Sequence, residues 1–167
     1  MPDHTDNCIL QKAISLANHY HALQTDKAGE LYILHPIRVM LNVAPFVPAM
    51  IVAVLHDVLE DTSCTVEDLT NSGIPDELVY SICCLTKNKN EDYDEYLKKI
   101  IVNPLAIGVK LEDLKDNLNI NRLSKLPTKV ASKLAAKYFA AQNFVNQYQI
   151  EYLKIRYEYL GINQVCK

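Results

Sequence analysis

The stretch AVLHDVLEDT, residues 53–62, places one histidine and three carboxylates within six residues, directly after an apolar run. Its apolar spacing predicts a buried helix from Ala49 to Glu60. Such a helix cannot carry unpaired charges on its buried face without a large cost in free energy. His56 and Glu60 are four residues apart, as are Asp57 and Asp61, so these side chains should leave the helix along one edge.

The carboxylates of this stretch need a compensating positive charge. They lie near the C-terminal end of the predicted helix, where the negative end of the helix dipole favours cations over anions. A divalent metal would supply that charge, with a nitrogen of His56 and an oxygen of Asp57 as neighbouring ligands. The alternative is a solvated acidic face that binds nothing. The residues of the stretch favour the metal.

The remainder of the chain also carries a helical pattern. Apolar residues recur with a period near 3.6, whereas the period-two alternation of strands is nearly absent, so we predict an all-α fold. Pro36 is expected at the first position of its helix, and the segment 25–32 around Gly29 is expected to be a loop. Helices are predicted within residues 7–23, 36–43, 65–72, 75–86, 91–102 and 103–118, and two more between 127 and 160.

Length, charge and cysteine content restrict the class of protein. The 167 residues fit one domain, 1–167, with a motif core at about 21–122 and C-terminal helices at 127–160. A net charge of -3 gives no general attraction to nucleic acid or to an anionic membrane. The five cysteines lack CxxC spacing, and adjacent Cys83 and Cys84 suit small apolar positions, which indicates a reduced, cytoplasmic protein. No signal segment or apolar run long enough to span a membrane is present, so no membrane partner is expected.

Two further groups of polar residues could belong to the same site. Lys110, Asp113 and Asn117 are three and four residues apart and share one face of the helix predicted at 103–118. His35 stands at the start of another helix, beside Pro36. Taken alone, Asp113 suits an ordinary surface acid and His35 a structural role.

Three motifs together resemble a known family. QTDKAGELYILHPIRV (24–39), VLHDVLEDT (54–62) and KLEDLKDNL (110–118) are similar, in order and spacing, to the H…HD…D pattern of HD-domain metal-dependent phosphohydrolases. The match is closer to the hydrolase domain of the RelA/SpoT alarmone enzymes and their small single-domain homologues. This resemblance implies an all-α HD-domain helical bundle.

The resemblance also implies a ligand set and catalytic residues. A divalent metal, usually Mn²⁺ in this family, would be held by four side chains: His35, His56, Asp57 and Asp113. Two imidazoles and two carboxylates suit such an ion and leave positions for water and substrate. Glu60 and Asp61 match the acidic pair of the pyrophosphohydrolases, which would orient the nucleophile and transfer protons. Lys27 and Asn117 match positions that contact the nucleotide.

The implied reaction is the release of pyrophosphate from the 3′ position of a nucleotide such as (p)ppGpp. Three residues depart from the family pattern: Asp26 replaces an arginine that packs on guanine, Ile120 replaces a threonine and Leu31 replaces a proline. All three bear on substrate capture and none on the metal ligands, so the chemistry is better supported than a guanine preference. The alternatives are a generic HD phosphohydrolase or nucleotidase for another phosphorylated nucleotide, and a non-catalytic nucleotide-binding module.

The remaining predictions concern partners. The expected partner is a small phosphorylated nucleotide, and a homodimer is an open alternative. Chain length leaves no room for the separate synthetase domain of the long enzymes, so hydrolysis alone is expected. His21 is interpreted as structural support for the site, the alternative being a role at the edge of the site. The tyrosines of the last helix are interpreted as core residues with exposed hydroxyls, the alternative being a partner-binding face: Tyr148, Tyr152, Tyr157 and Tyr159.

Overall fold

The chain folds as a bundle of helices joined by short loops. The computed structural model describes residues 4–162. Within this range no β-strand occurs, and a single pair, Thr25 and Leu31, forms an isolated β-bridge. The prediction of an all-α fold is therefore confirmed. In chain order the helices are α1 (His4–Tyr20), α2 (Leu34–Asn42), α3 (Val47–Leu55), α4 (Val58–Asp61), α5 (Val66–Asn71), α6 (Asp76–Leu85), α7 (Tyr93–Ile100), α8 (Pro104–Asn117), α9 (Ile120–Leu123), α10 (Thr128–Asn146) and α11 (Gln149–Tyr159).

The prediction of one continuous helix over residues 49–60 is wrong. α3 ends at Leu55, α4 begins at Val58, and Asp57 between them has φ −103° and ψ −6°. These angles lie in the bridge region of backbone conformations, where the chain turns out of the helix. In the last turn of α3, Nδ1 of His56 donates a hydrogen bond to the carbonyl of Ala53 at 2.7 Å. No glycine or proline marks the break, so the apolar spacing could not predict it.

The break also overturns the helix-dipole argument for a compensating cation. Asp57 precedes α4, and Glu60 and Asp61 lie in its first turn. The backbone N–H groups of Glu60 and Asp61 both donate to the carbonyl of Asp57, at 3.2 and 2.9 Å, so this turn still holds the acidic side chains together. The need for a positive charge therefore rests on the burial of these groups and not on their position along a helix.

Several helices begin or end at the capping residues that the sequence indicated. Thr65 and Asp68 form a capping box at the start of α5, and Gly73 follows this helix with φ +81°, a conformation that favours glycine. α8 begins with Asn103 as its N-cap and Pro104 in its first turn. Pro36 was misplaced: α2 begins at Leu34, so the proline is its third residue. The short helix α9 was not predicted.

The core surrounds α3, which packs against α1, α2, α6 and α8. Its Val52, Val54 and Leu55 have no exposed surface. On the opposite side of α8, the ring of Tyr152 lies so close to Gly108 that a Cβ there would approach it to 2.3 Å. Tyr152 is buried, which confirms the predicted core packing at this position, but its hydroxyl is buried as well, so the predicted exposed hydroxyl is wrong here.

Two further features of residues 4–162 concern membrane-spanning helices and cysteines. No helix there has both the length and the apolar character needed to cross a bilayer. Cys8, Cys64, Cys83 and Cys84 are free thiols, while Cys166 lies outside the described residues. Cys84 is buried in α6 and Cys83 beside it is half-buried, as expected for small apolar residues.

Candidate active site

The fold brings together the four side chains that the sequence singled out as metal ligands. His35 comes from α2, His56 follows α3 and Asp113 comes from α8, and one ligand atom of each lies within 4.8 Å of the others. Asp57 Oδ2 is 3.0 Å from His56 Nε2 and 3.7 Å from His35 Nε2. His35, His56 and Asp113 are buried and Asp57 is partly exposed, so this group forms the floor of a cleft.

The ring of His35 is oriented by a carboxylate that sequence reasoning missed. Its Nδ1 donates to Asp116 Oδ2 at 2.6 Å, which leaves the lone pair of Nε2 facing Asp113 Oδ1 at 3.1 Å. Arg38 Nε donates to Asp116 at 2.6 Å, and Arg122 also pairs with this carboxylate. Burial raises the pKa of Asp116, but its bonds to His35 and Arg38 outweigh burial and lower it. The three-residue spacing from Asp113 on α8 was the signal that could have identified Asp116.

His56 also directs toward Asp113 a nitrogen that has no hydrogen-bond partner within residues 4–162. Its Nδ1 donates to the Ala53 carbonyl, and its buried Nε2 makes no hydrogen bond to any described residue, although Asp57 Oδ2 lies 3.0 Å away. Burial lowers the pKa of His56, but Asp57 and Asp113 raise it well above its usual value. A metal cation bound at Nε2 would balance the negative charges of Asp57 and Asp113 in the same way as a proton on His56. Two imidazole nitrogens and two carboxylates therefore fit a divalent metal.

Asp113 is held by two residues of its own helix. Lys110 Nζ donates to its Oδ2 at 2.7 Å, and Asn117 Nδ2 donates to its Oδ1 at 2.5 Å. The sequence had placed these three side chains on one face of α8, and the structure confirms it. Lys110 is also 5.2 Å from the centroid of the Tyr96 ring, so its ammonium group is fixed between a carboxylate and an aromatic face.

Tyr32 links the loop before α2 to the acidic residues. Its hydroxyl donates to Asp57 Oδ2 at 2.5 Å and to Asp61 Oδ2 at 3.0 Å. The ring of His21 packs 4.9 Å from that of Tyr32, and its Nδ1 is 2.6 Å from Gln24 Oε1. His21 is buried and does not line the cleft, in agreement with the predicted structural role.

Glu60 and Asp61 stand on the wall of the cleft beside the four candidate ligands. Glu60 Oε2 accepts a hydrogen bond from the backbone N–H of Lys87 at 2.7 Å. Partial burial raises the pKa of Glu60, and the charges of Asp57 and Asp61 raise it further. Burial and Asp57 likewise raise the pKa of Asp61. Both carboxylates therefore have a pKa above the ordinary carboxyl value, which is a common feature of residues that transfer protons.

Above this acidic floor the cleft opens into a cavity of about 430 Å³. Lys27 and Asn117, the predicted nucleotide contacts, both line it. Ile120 and Leu31 do not, and they are 72% and 56% exposed, so their departures from the family pattern lie outside the cavity wall. The wall carries five cationic side chains: Lys27, Lys87, Lys110, Arg122 and Lys137.

Asp26, the third departure, organises the loop that carries Lys27. Its Oδ1 accepts from the backbone N–H groups of Ala28 and Glu30, at 2.8 and 3.0 Å. Its Oδ2 lies 3.3 Å from Arg122 Nη2. The loop position thus carries a negative charge where the family has a guanidinium, and a guanidinium reaches the same cavity from α9.

Comparison with known proteins gives relatives that match between 65% and 74% of the chain. No protein-family model matches it. A guanosine-3′,5′-bis(diphosphate) 3′-pyrophosphohydrolase of Aquifex aeolicus is 34% identical over 127 residues, which are 70% of this chain and 18% of that protein. Its counterpart from Borreliella burgdorferi is 33% identical over 74% of this chain and 20% of its own length. The bifunctional (p)ppGpp synthase/hydrolase SpoT of Escherichia coli is 32% identical over 65% and 17%. The chain thus spans about a fifth of these relatives.

One solved structure shares the whole fold. A metazoan orthologue of SpoT, which hydrolyses ppGpp and plays a role in starvation responses, superposes with a TM-score of 0.68. It is 22% identical, and the match covers 97% of this chain and 98% of that one. The arrangement of helices predicted from the three motifs is therefore confirmed.

Proposed function

The chain belongs to the HD-type hydrolases of the RelA/SpoT family, and on that premise we propose that it releases pyrophosphate from the 3′ position of a phosphorylated nucleotide, (p)ppGpp or a close analogue. One observation carries this proposal: ligand atoms of His35, His56 and Asp113 meet within 4.8 Å, beside Asp57, on the floor of a cavity with a cationic wall. An acidic and imidazole floor suits a metal, and a cationic wall suits phosphates.

We assign the metal to His35, His56, Asp57 and Asp113, with Mn²⁺ as the expected ion. A divalent ion bound there supplies Lewis acidity toward a phosphoryl oxygen and lowers the pKa of water. The protein residues supply orientation: Asp116 fixes His35, and the Ala53 carbonyl fixes His56, each through Nδ1. Such outer partners hold the ligand nitrogens in the protonation state that binds metal.

Glu60 and Asp61 are proposed to orient the attacking water and to transfer its proton. Both stand beside the metal ligands, and the pKa of each is raised by burial. A proton acceptor must lie within hydrogen-bond reach of the water, and the turn that links Asp57 to both residues provides this closeness. Lys27 and Asn117 are proposed to contact the nucleotide. Asp26 pairs with Arg122 where the family has a guanidinium, so the preference for guanine or another base is to be measured with the substrate panel.

A substrate panel tests the proposed reaction. With Mn²⁺ added, the protein should release pyrophosphate from guanosine 3′,5′-bis(diphosphate), and a chelator should abolish the release. Adenosine analogues, reduced dinucleotide phosphates and simple nucleotides complete the panel, with pyrophosphate and phosphate measured separately. Phosphate release confined to 5′-monophosphates would favour a generic nucleotidase, and binding without turnover would favour a non-catalytic module.

Asp116→Asn should weaken metal binding by about 10- to 100-fold, because an oriented carboxylate partner of a metal-ligating histidine contributes on that scale. Its Oδ2 accepts the Nδ1 proton of His35, and an amide holds that proton less firmly. Calorimetric titration of the metal-free protein with Mn²⁺ measures the effect. Glu112→Gln is the matched control on α8, since Glu112 pairs with the half-exposed Lys115. Equal Mn²⁺ affinity in Asp116→Asn and the wild type would refute the role of Asp116.

A further inference from the structure

Three lysines on the cavity wall lack an anionic partner. Lys27 comes from the loop before α2, Lys87 from the segment after α6, and Lys137 from α10. Among residues 4–162, no carboxylate oxygen lies within 4.0 Å of their ammonium groups. The other two cations of the wall, Lys110 and Arg122, are paired with carboxylates. The cavity therefore contains an uncompensated positive region in addition to its acidic floor.

Lys137 is the member of this group that neither a motif nor the family resemblance indicated. Its Nζ lies 4.1 Å from the centroid of the Tyr93 ring, so an aromatic face and not a carboxylate holds it at the wall. Partial burial lowers the pKa of Lys137, and repulsion from Lys110, Lys87 and Lys27 lowers it further, with Glu60 offsetting this only in part. The lysines are thus close enough to repel one another, and an anion between them would relieve that repulsion.

The proposed substrate carries phosphates at both the 3′ and the 5′ position, and the acidic floor cannot bind both groups. One pyrophosphate must meet the candidate metal ligands, where its charge is balanced by the cation. A second phosphate chain needs a separate positive surface, because Asp57, Glu60 and Asp61 would repel it. α10, which carries Lys137, contributes none of the candidate metal ligands.

We propose that Lys137, with Lys87 and Lys27, forms a second anion subsite that binds the 5′-phosphates of the nucleotide and makes Lys137 a specificity-determining residue. This inference rests on the proposed function, since it assumes that the 3′-pyrophosphate occupies the floor. Flexible ammonium groups bind phosphates as point charges without demanding one geometry. The subsite therefore discriminates by the number of 5′-phosphate charges and leaves recognition of the base to other residues.

A series of three substrates tests the subsite: guanosine 3′-diphosphates with a diphosphate, a monophosphate or a free hydroxyl at the 5′ position. Lys137→Gln should raise KM for the 5′-diphosphate by about 5- to 10-fold, as expected for loss of one charged contact. The increase should shrink to less than about 3-fold for the 5′-hydroxyl substrate, where an exposed charge acts only at a distance. Lys137→Arg should keep most of the discrimination. Lys133→Gln, one turn earlier on α10 and outside the cavity wall, is the matched control.

An equal rise in KM for all three substrates would place Lys137 at the 3′-pyrophosphate and overturn the inference. A binding measurement separates this failure from failure of the proposed reaction. Calorimetry on the metal-free protein compares guanosine 5′-diphosphate with guanosine, because the acidic floor without metal repels phosphate. Tighter binding of the diphosphate, lost in Lys137→Gln but not in Lys133→Gln, supports the subsite whether or not pyrophosphate is released. Equal binding by wild type and Lys137→Gln refutes it.

Discussion

Asp57→Ala should reduce Mn²⁺-dependent pyrophosphate release by at least about 1,000-fold, because metal stabilisation of a phosphoryl transition state contributes several kcal/mol. Asp57 Oδ2 is 3.0 Å from His56 Nε2 and 3.7 Å from His35 Nε2, so it is proposed to share one ion with both histidines. The same oxygen accepts the hydroxyl of Tyr32, so its loss also frees the tyrosine that bonds Asp61. The measurement is the rate of pyrophosphate release at saturating Mn²⁺, together with Mn²⁺ affinity by calorimetry.

The fold of the Asp57→Ala variant must be checked separately, because Asp57 also balances the charge of buried histidines. Circular dichroism and thermal unfolding of the metal-free protein provide that check. Glu95→Ala is the control, since Glu95 pairs with Lys98 on the exposed side of α7 and should leave both activity and Mn²⁺ affinity near the wild-type values. A folded Asp57→Ala protein with wild-type turnover would refute the ligand assignment.

Helix content, most helix ends and the choice of core residues followed from local signals in the sequence. A capping box at Thr65, an N-cap at Asn103 and glycines past helix ends act within a few residues, so pattern reasoning can find them. The break between α3 and α4 could not be found in this way. At the break the ring of His56 donates to the Ala53 carbonyl and the backbone turns at Asp57. Neither residue type marks a helix end by itself.

In the candidate site, too, local motifs could be recognised from the sequence, whereas contacts between distant residues could not. The candidate ligand set and acidic pair could be proposed from the sequence because each lies in a motif, and the fold brings the four candidate ligands together. Asp116 was not identified from the sequence because its role depends on a hydrogen bond with His35, which is 81 residues away in the chain. The pairing of Asp26 with Arg122 joins residues 96 positions apart. Lys137 belongs to α10, outside all three motifs. Contacts between distant segments are visible only in the folded chain.

Glu60→Gln should lower kcat by about 100- to 10,000-fold, which is the usual contribution of a positioned general base, while Mn²⁺ affinity stays near that of the wild type. The amide is isosteric, and its carbonyl oxygen can still accept the Lys87 backbone N–H that the carboxylate accepts at 2.7 Å. Glu60 does not belong to the group of atoms assigned to the metal. The substitution therefore removes basicity and leaves shape and ligands in place. Steady-state kinetics at saturating Mn²⁺ measure kcat.

The pH dependence of kcat distinguishes loss of a base from loss of a structural contact. Burial, Asp57 and Asp61 raise the pKa of Glu60, so the wild-type rate should fall as pH decreases through that raised value, because the protonated acid cannot accept a proton. Glu60→Gln should lose this acidic limb, whereas a variant that only disturbs packing would keep it at a lower rate. Asp61→Asn is the companion variant, since its oxygen can still accept the Tyr32 hydroxyl. If Glu60→Gln keeps the acidic limb and Asp61→Asn loses it, Asp61 is the base and the two roles are exchanged.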